Sequence, residues 1–492
     1  MVIKMLELFK SIKLDKNSGA PLYMQLFNVI SSMIDKGTLL PRTKLPSIRQ
    51  MASLLDVNTV TVVNCYRQLE LKGYVYAKKS SGTYVSTVLP PVDKKEYANK
   101  YDYVDKNVIL DEIYPGEDIS ILTSKIRFDK KTINFASATP SSNLFPVEDF
   151  KLVLNEVLDR DMGNAFNYQD SQGYRPLRFS ISNLLKEHSV NCSEDDIIIV
   201  SGAQQGIDII SKTLLKDGDH VITESPTYRG AVAVFNSRRA VVTDVELEED
   251  GLNLNLLEYH LKKHRPKLIY TIPAFQNPTG VSYSKSKRKQ LVMLAEKYDT
   301  YIIEDDYVSE LDFENKNFKP VAYYDKSGRV IYIKSFSKIF MPGLRFGFMV
   351  VPPHLKKHIL GAKHTTDIST SGLIQRALDL YIRKGFWHKH FYSMYETYKN
   401  RYTKVVNSLE KYKTDNISYK KPGGGLNIWL KLPYNCVVNS LLERAASNNI
   451  VFTPGRIFFS STSSNLNNIR LSFAAVEDDK IEAGIEKLCK LI

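Results

Sequence analysis

The sequence predicts an α/β protein with two folded parts, a small basic head that is mainly helical and a large body built on a mostly parallel sheet. Three observations lead to this prediction. The 492 residues are 43% hydrophobic and 25% charged, as in ordinary globular proteins. Residues 1–88 contain 12 Lys and Arg against 5 Asp and Glu, in a chain whose net charge is +13. From about residue 131, short apolar runs alternate with segments of helical periodicity, which is typical of a parallel sheet covered by helices.

Composition also excludes several classes of protein. No apolar run approaches the roughly 20 residues that span a bilayer, and charges come too early in the first ten residues for a secretory signal peptide. We therefore expect a cytoplasmic protein with no membrane partner. The four cysteines are far apart along the chain, so we expect neither a metal site nor a disulfide framework; they are Cys65, Cys192, Cys436 and Cys489.

Three short helices are predicted in the head. Pro21 suits the first turn of a helix whose apolar repeat ends at Gly37. Ser47 and Gln50 fit a capping box at the start of the second helix, and Asn58 is a good N-cap for the third. Two strands follow, at 74–76 and 83–85. Three helices followed by a hairpin are the order of a winged helix-turn-helix domain, which we place at residues 1–88.

The basic charge of the head predicts a polyanionic partner, and its fold favours double-stranded DNA. The third helix would enter the major groove, so its first outward side chains can contact base edges: Asn58, Thr59, Thr61 and Asn64. Further basic and polar side chains of the head can contact phosphates: Arg42, Lys44, Ser47, Arg49, Arg67, Lys78 and Lys79. Winged helices also bind proteins, and this alternative stays open.

Residues 89–130 contain Pro90-Pro91 and many charges without a sustained apolar pattern, which predicts an interdomain linker. The body then occupies residues 131–492. Its sheet is predicted from five apolar runs that lie between helical segments: 197–200, 220–223, 267–270, 301–304 and 330–333.

Lys338 is the strongest chemical signal in the body. It directly follows the run 330–333, so it lies at the carboxyl end of a predicted parallel strand, where α/β sheets bind ligands. A lysine in this position can form a Schiff base with an aldehyde. Ser335, Ser337 and Arg345 can bind a phosphate dianion beside it. This combination indicates pyridoxal 5'-phosphate as the cofactor.

Other predicted strands end in groups that suit the same cofactor. Asp305 can pair with the pyridinium nitrogen and keep it protonated. Tyr307 and Asn277 can hydrogen-bond the phenolic oxygen, and Tyr228 can stack on the ring. A helix predicted to start after the run 197–200 presents backbone N–H groups to an anion, those of Ala203 and Gln204. Each fragment alone is compatible with a purely structural role, whereas their convergence on one ligand is not expected by chance.

The head resembles the GntR family of bacterial regulators. The resemblance rests on Pro21-Leu-Tyr-Met-Gln25, Lys44-Leu-Pro-Ser-Ile-Arg49 and Leu69-Glu-Leu-Lys-Gly-Tyr74. It departs from the family at Thr59 and Asn64, where members often carry arginine. The resemblance therefore implies DNA binding that depends more on the wing and on dimerisation than on this helix.

The body, from about Ile133, resembles the aspartate-aminotransferase-like, fold-type-I pyridoxal-phosphate proteins. That likeness implies a large domain with a smaller C-terminal α+β subdomain. It also implies that Tyr168, in Tyr168-Gln-Asp-Ser-Gln-Gly173, reaches the cofactor phosphate of a partner subunit. Arg470 would bind the carboxylate of an amino compound as a bidentate fork, and Arg456 is a rival for this role.

The combination of the two parts resembles the MocR subfamily of transcriptional regulators. It implies a homodimer that binds operator DNA and senses pyridoxal phosphate, alone or with an amine that reacts at Lys338. The effector stays open among pyridoxal phosphate itself, a γ-amino acid, a taurine-like amine and a D-amino acid. The alternative is a working amino-acid aminotransferase with an appended DNA-binding head.

Overall fold

The computed structural model describes residues 7–15, 18–78, 81–87, 132–459 and 467–492. The chain divides into two units, Met1–Lys106 and Asn107–Ile492, and the division falls inside the predicted linker. The linker prediction over 89–130 and the phosphate contact predicted for Lys79 lie outside the described residues.

The head has the three helices and the hairpin that the sequence predicts. They are α1 (Leu22–Asp35), α2 (Ile48–Leu55), α3 (Thr59–Leu71), β1 (Val75–Lys78) and β2 (Gly82–Val85). The two strands pair antiparallel as a wing. Compared with the predicted strands, β1 begins one residue later and ends two residues later, and β2 begins one residue earlier.

The predicted caps of the head are confirmed. Ser47 and Gln50 form a reciprocal capping box at the start of α2. The Asn58 side chain accepts a hydrogen bond from the Val60 N–H at the start of α3. Because these side chains satisfy N–H groups that have no partner within the helix, they set the start of each helix.

A third segment pairs with the wing, and the sequence did not predict it. Residues 42–45 run along β2, where the Arg42 N–H donates to the Val85 carbonyl and the Leu45 N–H donates to the Thr83 carbonyl, each at 2.9 Å. This pairing fixes the backbone of Arg42 and Lys44 beside the wing.

The body is built on an eight-stranded sheet with the order β4-β11-β10-β9-β8-β5-β6-β7. Its strands are β4 (Ile197–Val200), β5 (His220–Ser225), β6 (Val241–Glu248), β7 (Gly251–Leu252), β8 (Leu268–Thr271), β9 (Tyr301–Asp306), β10 (Val330–Ser335) and β11 (Gly347–Val350). The pairings among β6, β5, β8, β9 and β10 are parallel, whereas β11 is antiparallel to β10 and β4. The mostly parallel sheet is therefore confirmed.

Helices connect and cover these strands, since a parallel strand can be reached only by a crossover. In chain order they are α4 (Val147–Asp161), α5 (Arg175–Glu187), α6 (Ala203–Leu214), α7 (Arg229–Ser237), α8 (Leu254–His264), α9 (Lys285–Lys297), α10 (Pro353–Asp367), α11 (Gly372–Arg383) and α12 (Phe386–Tyr412). None of the helices in the described ranges is long and apolar enough to cross a membrane.

The C-terminal part forms a smaller α+β layer. Its four-stranded sheet has the order β12-β13-β16-β15, and a separate parallel pair joins β14 to β3. The elements are β3 (Ile133–Asn134), β12 (Ser418–Tyr419), β13 (Asn427–Lys431), β14 (Ile450–Val451), β15 (Thr453–Pro454) and β16 (Asn468–Ser472), with helices α13 (Val438–Ser447) and α14 (Ile481–Leu491).

The topology brings five strand ends to one edge of the large sheet. Strands β5, β8, β9 and β10 are parallel, and β4 has the same direction because β11 is antiparallel to both of its neighbours. The segments that follow these five strands carry the cofactor contacts predicted from the sequence. Ligands of open α/β sheets bind at this edge.

Candidate cofactor site

A cavity of about 800 Å³ lies at this edge and is lined by residues from the eight-stranded sheet and from the four-stranded sheet. Eleven of the predicted residues line it: Ala203, Gln204, Tyr228, Asn277, Asp305, Tyr307, Ser335, Ser337, Lys338, Arg345 and Arg470. A cavity of this size suits a cofactor together with a small ligand.

Lys338 lies in the turn after β10, with its side chain on the cavity wall. The Tyr398 hydroxyl donates to the Lys338 backbone carbonyl at 3.2 Å, which fixes this turn. Burial, together with the positive charges of Arg470 and Arg345, lowers the pKa of Lys338 to about 8. About a tenth of its amine is therefore neutral and nucleophilic at pH 7, far more than for an exposed lysine.

The carboxylate of Asp305 is positioned to accept a hydrogen bond from a cationic N–H group. Its Oδ2 accepts from the Tyr270 hydroxyl at 2.6 Å, while its buried Oδ1 has no hydrogen-bond partner among the described residues. Burial raises the pKa of Asp305 to about 6. An unsatisfied buried carboxylate oxygen in a ligand cavity fits a protonated ring nitrogen, which would supply both a hydrogen bond and a compensating charge.

The alternation of β9 explains why Asp305, and not its acidic neighbours, faces the cavity. Glu304 points to the other side, where it accepts from the backbone N–H groups of Val321 and Ala322, each at 2.8 Å. Asp306 also points away and pairs with Lys334 at 3.0 Å. Adjacent side chains of a strand face opposite sides of the sheet, so only one of three consecutive acids reaches the ligand.

A phosphate cradle forms where β4 leads into α6. Gly202 has φ +107°, and a Cβ at this position would lie 3.1 Å from the Arg345 guanidinium. Arg345 donates to the Ser201 carbonyl at 2.8 Å and so stays beside the start of α6. Glycine is needed here for both its backbone conformation and its lack of a side chain. The free N–H groups of the first helical turn and this guanidinium converge as they do at phosphate sites.

Three other predicted contacts line the cavity with their polar groups partly engaged. The Tyr228 hydroxyl donates to Gln204 at 3.1 Å. Asn277 accepts from Arg470 through Oδ1 at 3.1 Å, which leaves its NH2 group to donate to a ligand. The Tyr307 hydroxyl donates to the Phe275 carbonyl at 2.6 Å, so its proton is not directed to the phenolic oxygen in this arrangement.

Arg470 closes the other side of the cavity on β16. It is 8% exposed, and its guanidinium donates to the Ala136 carbonyl at 2.6 Å and to the Thr453 hydroxyl at 3.1 Å. Burial lowers the pKa of Arg470 to about 10. Its Nε lacks a hydrogen-bond partner in the described part of the chain. A buried guanidinium held only by neutral groups is a receptor for a carboxylate.

Two predicted residues lie outside this cavity. Tyr168 is 82% exposed and does not line the cavity of its own chain. Arg456 lies in the short 3-10 helix Gly455–Phe458 and is half-buried, but it is not part of the cavity wall. The geometry therefore favours Arg470 over Arg456 as the carboxylate clamp.

Sequence reasoning missed several cavity residues. Arg229 and Asn236 face the cavity from α7, and Thr139 and Phe458 face it from the C-terminal layer and its neighbouring loop. None belongs to a recognisable motif. The position of Arg229 directly after Tyr228 was the one available signal.

The head presents its predicted DNA contacts on its surface. Arg42, Lys44, Arg49, Arg67 and Lys78 are all exposed. The base-contact candidates Asn58, Thr59 and Asn64 are exposed as well, whereas Thr61 is half-buried.

Known proteins resemble the chain in both parts. The family of class I and II aminotransferases matches residues 130–488, and the gntR family of bacterial regulatory proteins matches residues 22–85. The uncharacterised HTH-type transcriptional regulator YisV of Bacillus subtilis is 28% identical over 478 residues, which cover 96% of each chain. The aromatic-amino-acid aminotransferase 1 of Thermococcus litoralis is 34% identical over 73% of this chain and 88% of its own.

A solved structure supports the assignment of the body. The α-aminoadipate aminotransferase LysN of Thermus thermophilus, complexed with N-(5'-phosphopyridoxyl)-L-leucine, has a TM-score of 0.69 and 29% identity, covering 75% of this chain and 95% of its own. The cavity residues fit the same cofactor. The chain belongs to the class I and II aminotransferase family and, with its GntR head, to the MocR type of transcriptional regulators, whose aminotransferase-like domain takes pyridoxal phosphate.

Proposed function

We propose that the protein is a homodimeric regulator whose head binds operator DNA and whose body adjusts this binding when the cavity takes up pyridoxal phosphate and an amino compound. One observation carries the proposal. The same chain contains a winged helix with exposed basic side chains and a cavity lined by Lys338, whose pKa is lowered. Its proposed place of action is the cytoplasm, where the operator lies.

Different residues of the cavity would contact different parts of the cofactor. The phosphate would lie against Ala203, Ser337 and Arg345, and the ring nitrogen would face Asp305. When bound, pyridoxal phosphate supplies an aldehyde that exchanges between amines and a ring that withdraws electrons. Lys338 supplies the resident amine, and its lowered pKa keeps a proton-free form available for the exchange.

The charge of the cavity wall favours an amino compound that is also an anion. Four cations, Arg229, Lys338, Arg345 and Arg470, and one carboxylate, Asp305, line it among the described residues. With Lys338 in its neutral form and the ring nitrogen set against Asp305, a phosphate dianion leaves about one positive charge of the three arginines uncompensated. A single carboxylate on Arg470 would balance it, so we propose amino acids over simple amines.

The exposed aromatic and apolar side chains near Tyr168 support the proposed homodimer. Met162, Phe166 and Tyr168 are 72%, 69% and 82% exposed, and they follow one another in a short segment. Such a cluster is costly on a monomer surface and typical of a partner contact. We propose that a second copy covers it and receives Tyr168 at its phosphate site.

Ligand uptake can regulate the head only through differential affinity. The cofactor and the amino acid must bind more tightly to one conformation of the dimer than to another. DNA must also differ in its affinity for these same two conformations. We expect a coupling of about 1 to 3 kcal/mol, which changes DNA affinity by about 5- to 150-fold.

Fluorescence anisotropy with labelled DNA from upstream of the gene tests this proposal. We expect affinity to change when pyridoxal phosphate and one amino acid are added, and to stay constant in Lys338→Ala. If the ligands leave wild-type affinity unchanged, the regulatory proposal is wrong. Steady production of a keto acid by the wild type, abolished in Lys338→Ala, would instead support the aminotransferase alternative.

A further inference from the structure

An ion pair between a buried lysine and a partly buried aspartate at the end of α10 lies between two functional parts of the body. Lys363 is 0% exposed and donates to Asp367 Oδ1 at 2.6 Å. Lys363 also donates to the Thr370 hydroxyl at 3.2 Å. A buried ammonium is stable only beside a carboxylate, so Asp367 is held firmly in place. We call residues 367–372, which connect α10 to α11, the hinge loop.

One side of the hinge loop holds the phosphate cradle. Asp367 Oδ2 accepts from the Gln205 side chain at 3.0 Å. Gln205 Oε1 in turn accepts from the Ser201 N–H at 2.7 Å, and the Ser201 carbonyl accepts from Arg345. Three successive hydrogen bonds therefore connect Asp367 to the guanidinium that would bind the cofactor phosphate.

The other side of the hinge loop holds the segment that carries Tyr168. The Ser171 hydroxyl donates to the Ile368 carbonyl at 2.6 Å, and the Gln169 N–H donates to the Ser369 hydroxyl at 3.4 Å. Gly372 allows this contact, because a Cβ there would lie 2.7 Å from the Gln169 side chain. The segment is thus tied to the hinge loop directly beside Tyr168.

The backbone of the hinge loop is itself strained. Ile368 has φ +58°, a left-handed conformation that β-branched residues rarely adopt. Such a conformation persists only where its surroundings hold it, and strained residues gather at functional positions. Here the contacts of Asp367 and Ser171 hold it from both sides.

We propose that Asp367 is a positioning residue that couples the phosphate cradle of one subunit to the Tyr168 that serves the partner's site. Filling the cradle would move or stiffen the hinge loop through Gln205, and the hinge loop would set Tyr168 for the second site. The two cofactor sites of the dimer would then bind interdependently. This inference rests on the proposed homodimer with Tyr168 acting across the interface.

A heterodimer with one intact site tests the coupling. One chain carries no substitution, and the other carries Lys338→Ala, so that borohydride traps the cofactor at a single Lys338. The half-saturating concentration of pyridoxal phosphate at this site is then measured. Further substitutions are added only to the Lys338→Ala chain, and any effect on the intact site must cross the interface.

We expect Tyr168→Phe in the Lys338→Ala chain to raise the half-saturating concentration about tenfold, and Asp367→Asn in that chain to raise it at least about fivefold. Asp208→Asn is the matched control. Asp208 lies on the same helix as Gln205, and the substitution weakens a partly buried ion pair with Arg238 that has no contact with the hinge loop. This control is expected to leave the concentration unchanged. A chain with both Lys363→Met and Asp367→Leu removes the two charges together and replaces Asp367→Asn if that variant does not fold.

The outcomes separate the coupling from the proposed function. If Tyr168→Phe weakens the intact site but neither Asp367 variant does, the coupling is wrong and the proposed dimer stands. If Tyr168→Phe has no effect, or the two chains do not associate, the role across the interface is wrong and the coupling is wrong with it. The proposed DNA binding is tested separately with the wild type, and neither of these results bears on it.

Discussion

The head and the cofactor cavity expose their functional charges to very different surroundings. In the head, Arg49, Arg67 and Lys78 lie on the surface in contact with water. In the cavity, Asp305 and Arg470 are buried, and burial moves the pKa of Asp305 up to about 6 and that of Arg470 down to about 10.

This difference predicts two kinds of binding. Exposed cations attract a polyanion through long-range forces that salt screens, and each adds a similar, modest amount. Buried groups act at short range in a low dielectric, so the loss of one removes most of the binding. Specific chemistry is therefore concentrated in the body, whereas the head distributes its affinity over many contacts.

The largest effect is expected from Lys338→Ala. Among the described residues, Lys338 is the one lysine that lines the cavity. Its loss should weaken pyridoxal phosphate binding by about a thousandfold or more, because a covalent bond would be replaced by contacts alone. Equilibrium dialysis measures the affinity, and Lys357→Ala, on the exposed face of α10, serves as the control. Retention of wild-type affinity would remove Lys338 from the site.

The second prediction concerns Arg470→Lys. A lysine keeps the charge but loses the planar fork, so binding of an amino-acid effector should fall about 10- to 100-fold. Pyridoxal phosphate affinity should change little, since we propose that the phosphate lies at Arg345. Calorimetry of the cofactor-loaded protein measures effector binding. An equal loss for Arg456→Lys would instead favour Arg456 as the clamp.

The third prediction uses the pKa of Lys338, lowered to about 8 by burial and by two arginines. The neutral amine increases as the pH rises through this value, so the rate of covalent cofactor capture should rise about tenfold between pH 7 and 9 and then level off. Stopped-flow absorbance measures the rate. A rate that continues to climb to pH 10 would mean that the lysine is not perturbed.

The fourth prediction tests the distributed binding of the head. For each head that binds DNA, Arg49→Gln, Arg67→Gln and Lys78→Gln should each reduce the steepness of log affinity against log salt by about 0.9, or about eightfold in affinity per head at 0.1 M salt relative to 1 M. Asn64→Ala should change sequence preference and leave the slope alone. If one of the three charges removes nearly all DNA binding, the contrast between head and body breaks down.

The smallest effect is expected from Ser47→Ala. Loss of its capping box should lower the free energy of unfolding of the head by about 1 kcal/mol, roughly fivefold in the folding equilibrium. Ser53→Ala, an exposed position inside α2, is the control. Hydrogen exchange of the head measures both, and the exchange of the body should not respond.

The strands next to the cavity could be predicted because each is an apolar run that is followed by a polar or charged side chain. Lys338 and Asp305 directly follow such runs, and parallel strands bring these ends together. The direction of β11 could not be predicted, since an apolar run reads the same in either direction. The pairing of residues 42–45 with β2 was missed because this segment lacks the alternation of apolar and polar residues that is typical of a strand.

Individual contacts were harder to predict than the site. The sequence identified Tyr307, but only the structure shows that its hydroxyl donates to the Phe275 carbonyl. Arg229 was missed because it belongs to no motif. The hinge loop was also invisible, because Asp367 and Gln205 are 162 residues apart and only the fold makes them neighbours.

A footprint of the protein on the DNA upstream of its gene tests the central claim most directly. It would be run without ligand, with pyridoxal phosphate, and with the cofactor and each of a panel of amino acids. We predict a selective footprint that changes with the cofactor alone or with one amino acid, which would identify the effector. The absence of selective protection in every state would contradict the account and favour an aminotransferase.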